Sequence, residues 1–229
     1  MELSDEVWRF EGGVAVEMAA AGRGISVLPE GIGGLTGLRR IDLDHNRLRE
    51  VPSRIGDLVS LSDYLYLSDN GLTSVPASLG RLARLDYLNL AGNRLSTLPA
   101  SLGDMTALRE LRVYDNRLDR LPGSIGRLSG LRELHAMNNR LTGLPPEIGD
   151  LADLRHLDLR NNPLDRLPET IGRLSRLAHL DLRAARLREL PDALATLPRL
   201  EKLDLRWTKP DRIPAWIDTL RARGCAVLL

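Results

Sequence analysis

Cysteine is all but missing from this chain of 229 residues: Cys225 is its only one, so no disulfide can form within it. An excess of charge of one sign is missing too. With 32 Lys and Arg against 31 Asp and Glu, the formal charge is +1, which excludes a global field that would draw in nucleic acid or an anionic membrane. Electrostatic recognition must therefore be local. No uninterrupted apolar stretch approaches the roughly 18 residues of a membrane-crossing helix. The first eight residues are acidic, without a basic segment followed by an apolar one, so no secretory leader is expected. Phenylalanine occurs once, as Phe10.

What the chain has is a period. Pro29, Pro52, Pro76, Pro99, Pro122, Pro145, Pro168, Pro191 and Pro214 recur every 23 residues, with one step of 24. A fixed period of this length belongs to a solenoid, whose length sets a number of repeats and not of domains. Aligned on the prolines, the copies share the frame LxxLxLxxNxLxxLPxxIGxLxx, seen cleanly from Leu85 through Leu88, Leu90, Asn93, Leu95, Leu98, Pro99, Leu102 and Gly103.

This frame resembles the leucine-rich repeat over about residues 15 to 223. Its second half, LPxxIGxLxxL, is similar to the Ras-suppressor-like and plant intracellular Ras-group repeats. The resemblance implies an α/β solenoid, a curved horseshoe arc with a parallel β-sheet on the concave side and short helical turns or loops on the convex side. It also implies small GTPases, kinases or their regulators as partners. Extracellular members usually close their ends with paired cysteines, so the lone Cys225 suggests a reducing, cytoplasmic compartment. Richness in Arg, Ala and Gly points to a bacterial source, in which such repeats also serve as secreted effectors that recruit host proteins.

Each repeat has two chemically different halves. In Leu154, Leu157 and Leu159 the last two alternate with polar residues, the period-2 signature of a strand with one buried face. Asn46, Asn70, Asn93, Asn116, Asn139 and Asn162 then occupy one position at the turn, where an amide that donates and accepts can satisfy the turning backbone. In the second half a proline fixes the local angle, and Ile171 and Leu174, three residues apart, suit one short helical turn. The recurring Gly33, Gly56, Gly80, Gly103, Gly126, Gly149 and Gly172 permit close backbone approach or a positive φ. One glycine per turn is not a phosphate-binding loop.

The sequence predicts a single domain over 1–229. Residues 1 to 14, with Leu3, Val7, Trp8 and Phe10, form an N-terminal cap, as a helix or short strand over the first turn. Nine repeats follow over 15–223, and 224–229 is a C-terminal cap or a tenth strand. Ala185 and Thr208 replace Asn in the last turns, where the ladder has fewer neighbours. The 24-residue step lies between Leu61 and Leu65, where one inserted residue predicts a local bulge beside Tyr64 and Tyr66.

Function is expected at the positions that the period leaves free, the third, fifth, seventh and eighth of each strand copy. All four tyrosines and all four histidines of the chain fall there. Amphipathic side chains on a rigid surface are what interfaces use as anchors. Tyr64, Tyr66, Tyr87 and Tyr114, with Met137, make an aromatic stripe, and the small Asn89, Ala91 and Gly92 beside it leave room for docking. Arg112 and His135 continue the face. Toward the C-terminus the triplets His156, Asp158, Arg160; His179, Asp181, Arg183; and Lys202, Asp204, Arg206 form an Asp column between a basic and an Arg column. Such columns either neutralise one another or dock a partner of complementary charge. Trp207 is an interface anchor or a shield for the C-terminal end.

The resulting reading is a monomeric, non-enzymatic scaffold that binds a protein partner on its concave face, with no cofactor and no metal. A two-His, one-carboxylate set from His156, His179, Asp158 and Asp181 is conceivable, but nothing encloses it. Catalysis would need a nucleophile or a paired acid and base, and Ser68 is the only Ser or Cys among the concave variable positions. Nucleic-acid binding would need an uncompensated basic stripe, whereas the Asp column opposes Arg160, Arg183 and Arg206. No membrane contact is expected.

Overall fold

The computed structural model describes residues 7–229, and Leu3 of the expected cap lies outside them. Eleven strands form one open sheet in sequence order. Strand β1 (Trp8–Glu11) pairs antiparallel with β2 (Val14–Ala19), and from β2 onward every neighbour is parallel. The cap is thus a hairpin. Val7 is buried and Trp8 packs half-buried on the core, while Phe10 is 57% exposed.

The repeats supply β3 (Arg40–Asp42), β4 (Tyr64–Tyr66), β5 (Tyr87–Asn89), β6 (Glu110–Arg112), β7 (Glu133–His135), β8 (His156–Asp158), β9 (His179–Asp181) and β10 (Lys202–Asp204). Each is three residues long, with its central apolar residue buried and the flanking residues on the concave face, as a period of two requires. Strand β11 (Ala226–Leu228) closes the parallel series as the tenth strand, after a helix, α1 (Trp216–Ala222). On the convex side each periodic proline from Pro29 to Pro191 precedes a five-residue 3-10 turn such as Ala77–Arg81 or Glu169–Arg173, whereas Pro214 precedes α1. Leucines from both sides meet in one continuous core.

The asparagine ladder forms as the repeat logic requires. Asn93 donates Nδ2 to the carbonyls of Leu67, Leu90 and Ala91 at 2.9, 3.1 and 3.1 Å, and its Oδ1 accepts the N–H of Leu72 at 3.0 Å. One amide therefore ties two repeats. At the C-terminal end Thr208 Oγ1 keeps a single rung, donating to Leu182 at 2.8 Å. The repeat glycines serve close approach and not a positive φ: a Cβ on Gly80 would sit 2.2 Å from the Ser101 carbonyl oxygen of the next turn.

Two local expectations are corrected. The inserted residue makes no bulge inside β4, whose register to β3 and β5 is unshifted. It is taken up just before the strand, where Asp86 and Tyr87 of the next repeat donate to the separate carbonyls of Ser62 and Asp63, while elsewhere two such N–H groups share one carbonyl, as Arg109 and Glu110 share that of Asp86. The eighth position is not part of the strand face at all. His45, Asp69, Gly92, Asp115, Asn138, Asn161, Ala184 and Trp207 have φ between 50° and 63°, so this column is a left-handed turn at the sheet's rim.

Candidate protein-binding face

Register turns the variable positions into columns. The third position runs Arg40, Tyr64, Tyr87, Glu110, Glu133, His156, His179 and Lys202, and the fifth begins at Asp42 and ends at Asp204. Each third-position residue faces the next at the strand spacing, so their side chains meet.

In the N-terminal half the tyrosines pack on one another. Tyr64 and Tyr66 stack with centroids 4.3 Å apart, and Tyr66 meets Tyr87 edge to face at 5.1 Å. The guanidinium carbon of Arg112 lies 5.3 Å from the centre of the Tyr87 ring, within cation–π range. Tyr64 donates its hydroxyl to Glu17 Oε1 at 2.8 Å; burial first, and then this bond, push its pKa up to about 12. Burial also raises the Tyr87 pKa. All are half-buried, so their rings are held and still reachable. Tyr114 and Met137 lie half-buried at seventh positions, and Met137 Sδ takes a contact from Arg160 Nη2 at 3.3 Å.

Asn89 does not line an open docking space. It is buried, and its Oδ1 accepts the backbone N–H of Ala91 at 3.1 Å. The same turn recurs down the fifth column: Asp158, Asp181 and Asp204 accept the N–H groups of Arg160, Arg183 and Arg206 at 3.2, 3.1 and 3.3 Å. These are Asx-type turns at the strand exit. The Arg side chains then fold back on the same carboxylates, Arg183 Nη2 to Asp181 Oδ2 at 2.6 Å and Arg206 Nη2 to Asp204 Oδ2 at 2.8 Å. Arg160 is more loosely held, at 3.4 Å from Asp158. Asp204 is 1% exposed and bonded from two sides, which removes it from any contact surface. Burial opposes its ionisation, but Arg206 outweighs it and the carboxyl sits below its usual range. Asp158, without so close a cation, is pushed up by burial and by Asp181.

The histidines do not assemble with those aspartates. His156 and His179 stack with centroids 4.5 Å apart, and their nitrogens face glutamates, His156 Nδ1 to Glu133 at 3.4 Å and His179 Nε2 to Glu201 at 3.7 Å. His135 Nε2 meets Glu133 Oε2 at 3.0 Å and lies 3.9 Å from Glu110 Oε1. Burial opposes ionisation of Glu133, yet His135 and His156 together hold its carboxyl below the usual range. Glu110, Glu133 and Glu17 were not singled out from the sequence. Their signal was present, since all three stand at third-type positions in register with the tyrosines and histidines. Between these groups lies an open depression of about 260 Å³, floored by Leu157 and Leu180 and flanked by His135, His156 and His179. Trp207 is 70% exposed at the rim and shields nothing; its ring lies 5.7 Å from the Arg206 guanidinium carbon.

Known proteins match this architecture. A leucine-rich repeat region model matches residues 144–222, and a second leucine rich repeat model matches 63–118 and 106–164. A leucine-rich repeat protein of Leptospira interrogans is 30% identical, with a TM-score of 0.68, over 90% of this chain and 58% of its own. The ectodomain of the Arabidopsis thaliana receptor kinase GASSHO1/SCHENGEN3, solved with Casparian strip integrity factor 2, is 29% identical at a TM-score of 0.72, over 89% of this chain and 28% of its own. Bovine prolargin is 45% identical over 58 residues, which are 25% of this chain and 15% of prolargin. The chain thus spans less than two thirds of the length of each of these proteins. With the repeat frame, the single open sheet and both models in agreement, the chain is a leucine-rich repeat protein.

Proposed function

We propose that this chain is a non-enzymatic scaffold that holds a protein partner on its concave sheet, anchored by Tyr64, Tyr66, Tyr87, Arg112 and Tyr114. The leucine-rich repeat fold is typical of protein interaction modules, and plant neighbours of 29% and 26% identity were solved as receptors in complex with a bound factor. The observation that carries the reading is the unbroken contact series from Tyr64 through Tyr66 and Tyr87 to Arg112. Aromatic and Arg side chains are the commonest interface anchors, and rings already packed in place lose little side-chain freedom on binding. The Asp and Arg columns act mainly as a self-neutralised network, because each carboxylate is already engaged by its own strand's Arg and backbone. The partner class is the small GTPases, kinases or their regulators, the class implied by the LPxxIGxL frame.

The test is affinity capture from the native cell lysate by the wild type and by the triple variant Tyr66→Ala, Tyr87→Ala, Tyr114→Ala. Captured protein should be lost in the variant while its fold, followed by circular dichroism, remains. Undiminished capture by the folded variant refutes the aromatic anchor.

A further inference from the structure

Two carboxylates face each other where a sheet normally avoids it. Glu110 and Glu133 are directly paired across β6 and β7, a like-charge arrangement that is unfavourable unless something between them is positive. Arg112 answers only the first, with Nε 2.7 Å from Glu110 Oε1. His135, on the same strand as Glu133, brings Nε2 into the gap.

We propose that Glu110, Glu133 and His135 form a binding site for a divalent transition-metal ion, with zinc as its best fit. One ligand atom from each lies within 4.8 Å of the others, and among the described residues this is the group of three or more possible ligands so placed. Zinc bonds of 2.0–2.2 Å in a tetrahedron put neighbouring ligand atoms about 3.3–3.6 Å apart. The observed separations of His135 Nε2 from Glu133 and from Glu110, 3.0 and 3.9 Å, bracket that edge, so small rotamer adjustments close the site. On the next strand His156 Nδ1 lies 3.4 Å from the other oxygen of Glu133 and holds that carboxylate from behind, leaving the fourth position to water.

The donor chemistry selects the ion. Two carboxylates alone would suit magnesium or calcium, whereas imidazole nitrogen favours zinc, copper or nickel. Arg112 fixes the Glu110 carboxylate, the task of outer partners that orient metal ligands. The strands belong to a stacked core, so the site needs no folding event to assemble it. A metal here would bring a fixed positive charge next to the tyrosine stripe.

The experiment is calorimetric titration of chelator-treated protein with zinc chloride, alongside Glu133→Gln, His135→Ala and, as a control for exposed histidine, His45→Ala. One equivalent of zinc should bind to the wild type and to His45→Ala. Affinity should fall by about tenfold or more in the other two, the scale on which even outer-partner mutations act. Cobalt in place of zinc should give the visible absorption of a tetrahedral centre, and circular dichroism verifies that each variant is folded. Absence of saturable zinc binding to the wild type overturns the proposal. So does binding that folded His135→Ala retains in full, or magnesium binding as tightly as zinc.

Discussion

Tyr64 and Tyr66 stack with their ring planes 20° from parallel, although Leu65 separates them on the strand and points into the core. Side chains two apart on a strand share a face, and here the rings close the gap between them. Tyr66 also meets Tyr87 edge to face, so it is the centre of the aromatic series.

Tyr66→Ala removes both ring pairs. Each is worth about 0.5–1.5 kcal/mol when packed, and half-exposure places these at the low end, so a loss of about 1 kcal/mol is expected in urea unfolding. The slope of the unfolding transition should not change. Retention of full stability would show that the stack contributes nothing to the fold.

Asn93→Ala should be costlier despite the smaller side chain. It leaves the buried N–H of Leu72 without its acceptor, and takes one donor each from the carbonyls of Leu67 and Leu90, which keep Asn70 and Asn116. An unsatisfied buried group costs roughly 1–3 kcal/mol, so the melting temperature should drop more than for Tyr66→Ala. An equal or smaller drop would mean that water replaces the amide.

Two backbone substitutions should act in opposite directions. Gly80→Ala drives a Cβ into the Ser101 carbonyl and is expected to lose about 1–3 kcal/mol, the usual cost of overpacking. Ala184→Gly relieves a left-handed residue at φ 57°, worth about 1–2 kcal/mol and only partly offset by the freedom that glycine gains when unfolded. Calorimetric melting should rank Ala184→Gly above the wild type and Gly80→Ala below it.

Asp204 predicts a pH dependence. Its folded-state pKa is depressed, chiefly by Arg206 working against burial. A depressed carboxyl contributes stability above its unfolded value of about 3.9 and loses it as pH falls through the lower folded value. Wild type should therefore exceed Asp204→Asn in stability at neutral pH, with the gap narrowing below about pH 4. Urea unfolding of both proteins between neutral and strongly acidic pH measures it, and a gap independent of pH would contradict the assignment.

The choice of close approach for the glycines and of a tenth strand at Ala226–Leu228 came from the fold, while the period of 23 residues by itself determined the solenoid, the inward leucines and the asparagine ladder. Those features repeat because each copy must bury the same face against the next, and burial leaves its mark on residue type. The tertiary structure alone decided what the variable positions do. Fifth-position Asn89, Asp158, Asp181 and Asp204 read from the sequence as concave-face residues, but Asn89 and Asp204 are buried, and the hydrogen bonds of all four to the strand exit depend on a turn that only the folded backbone shows. Trp207 and the other eighth-position residues left the strand face because the chain reverses there with a positive φ. The meeting of Glu110, Glu133 and His135 required the register of two strands and the choice of rotamer on each, neither of which residue types along one chain encode.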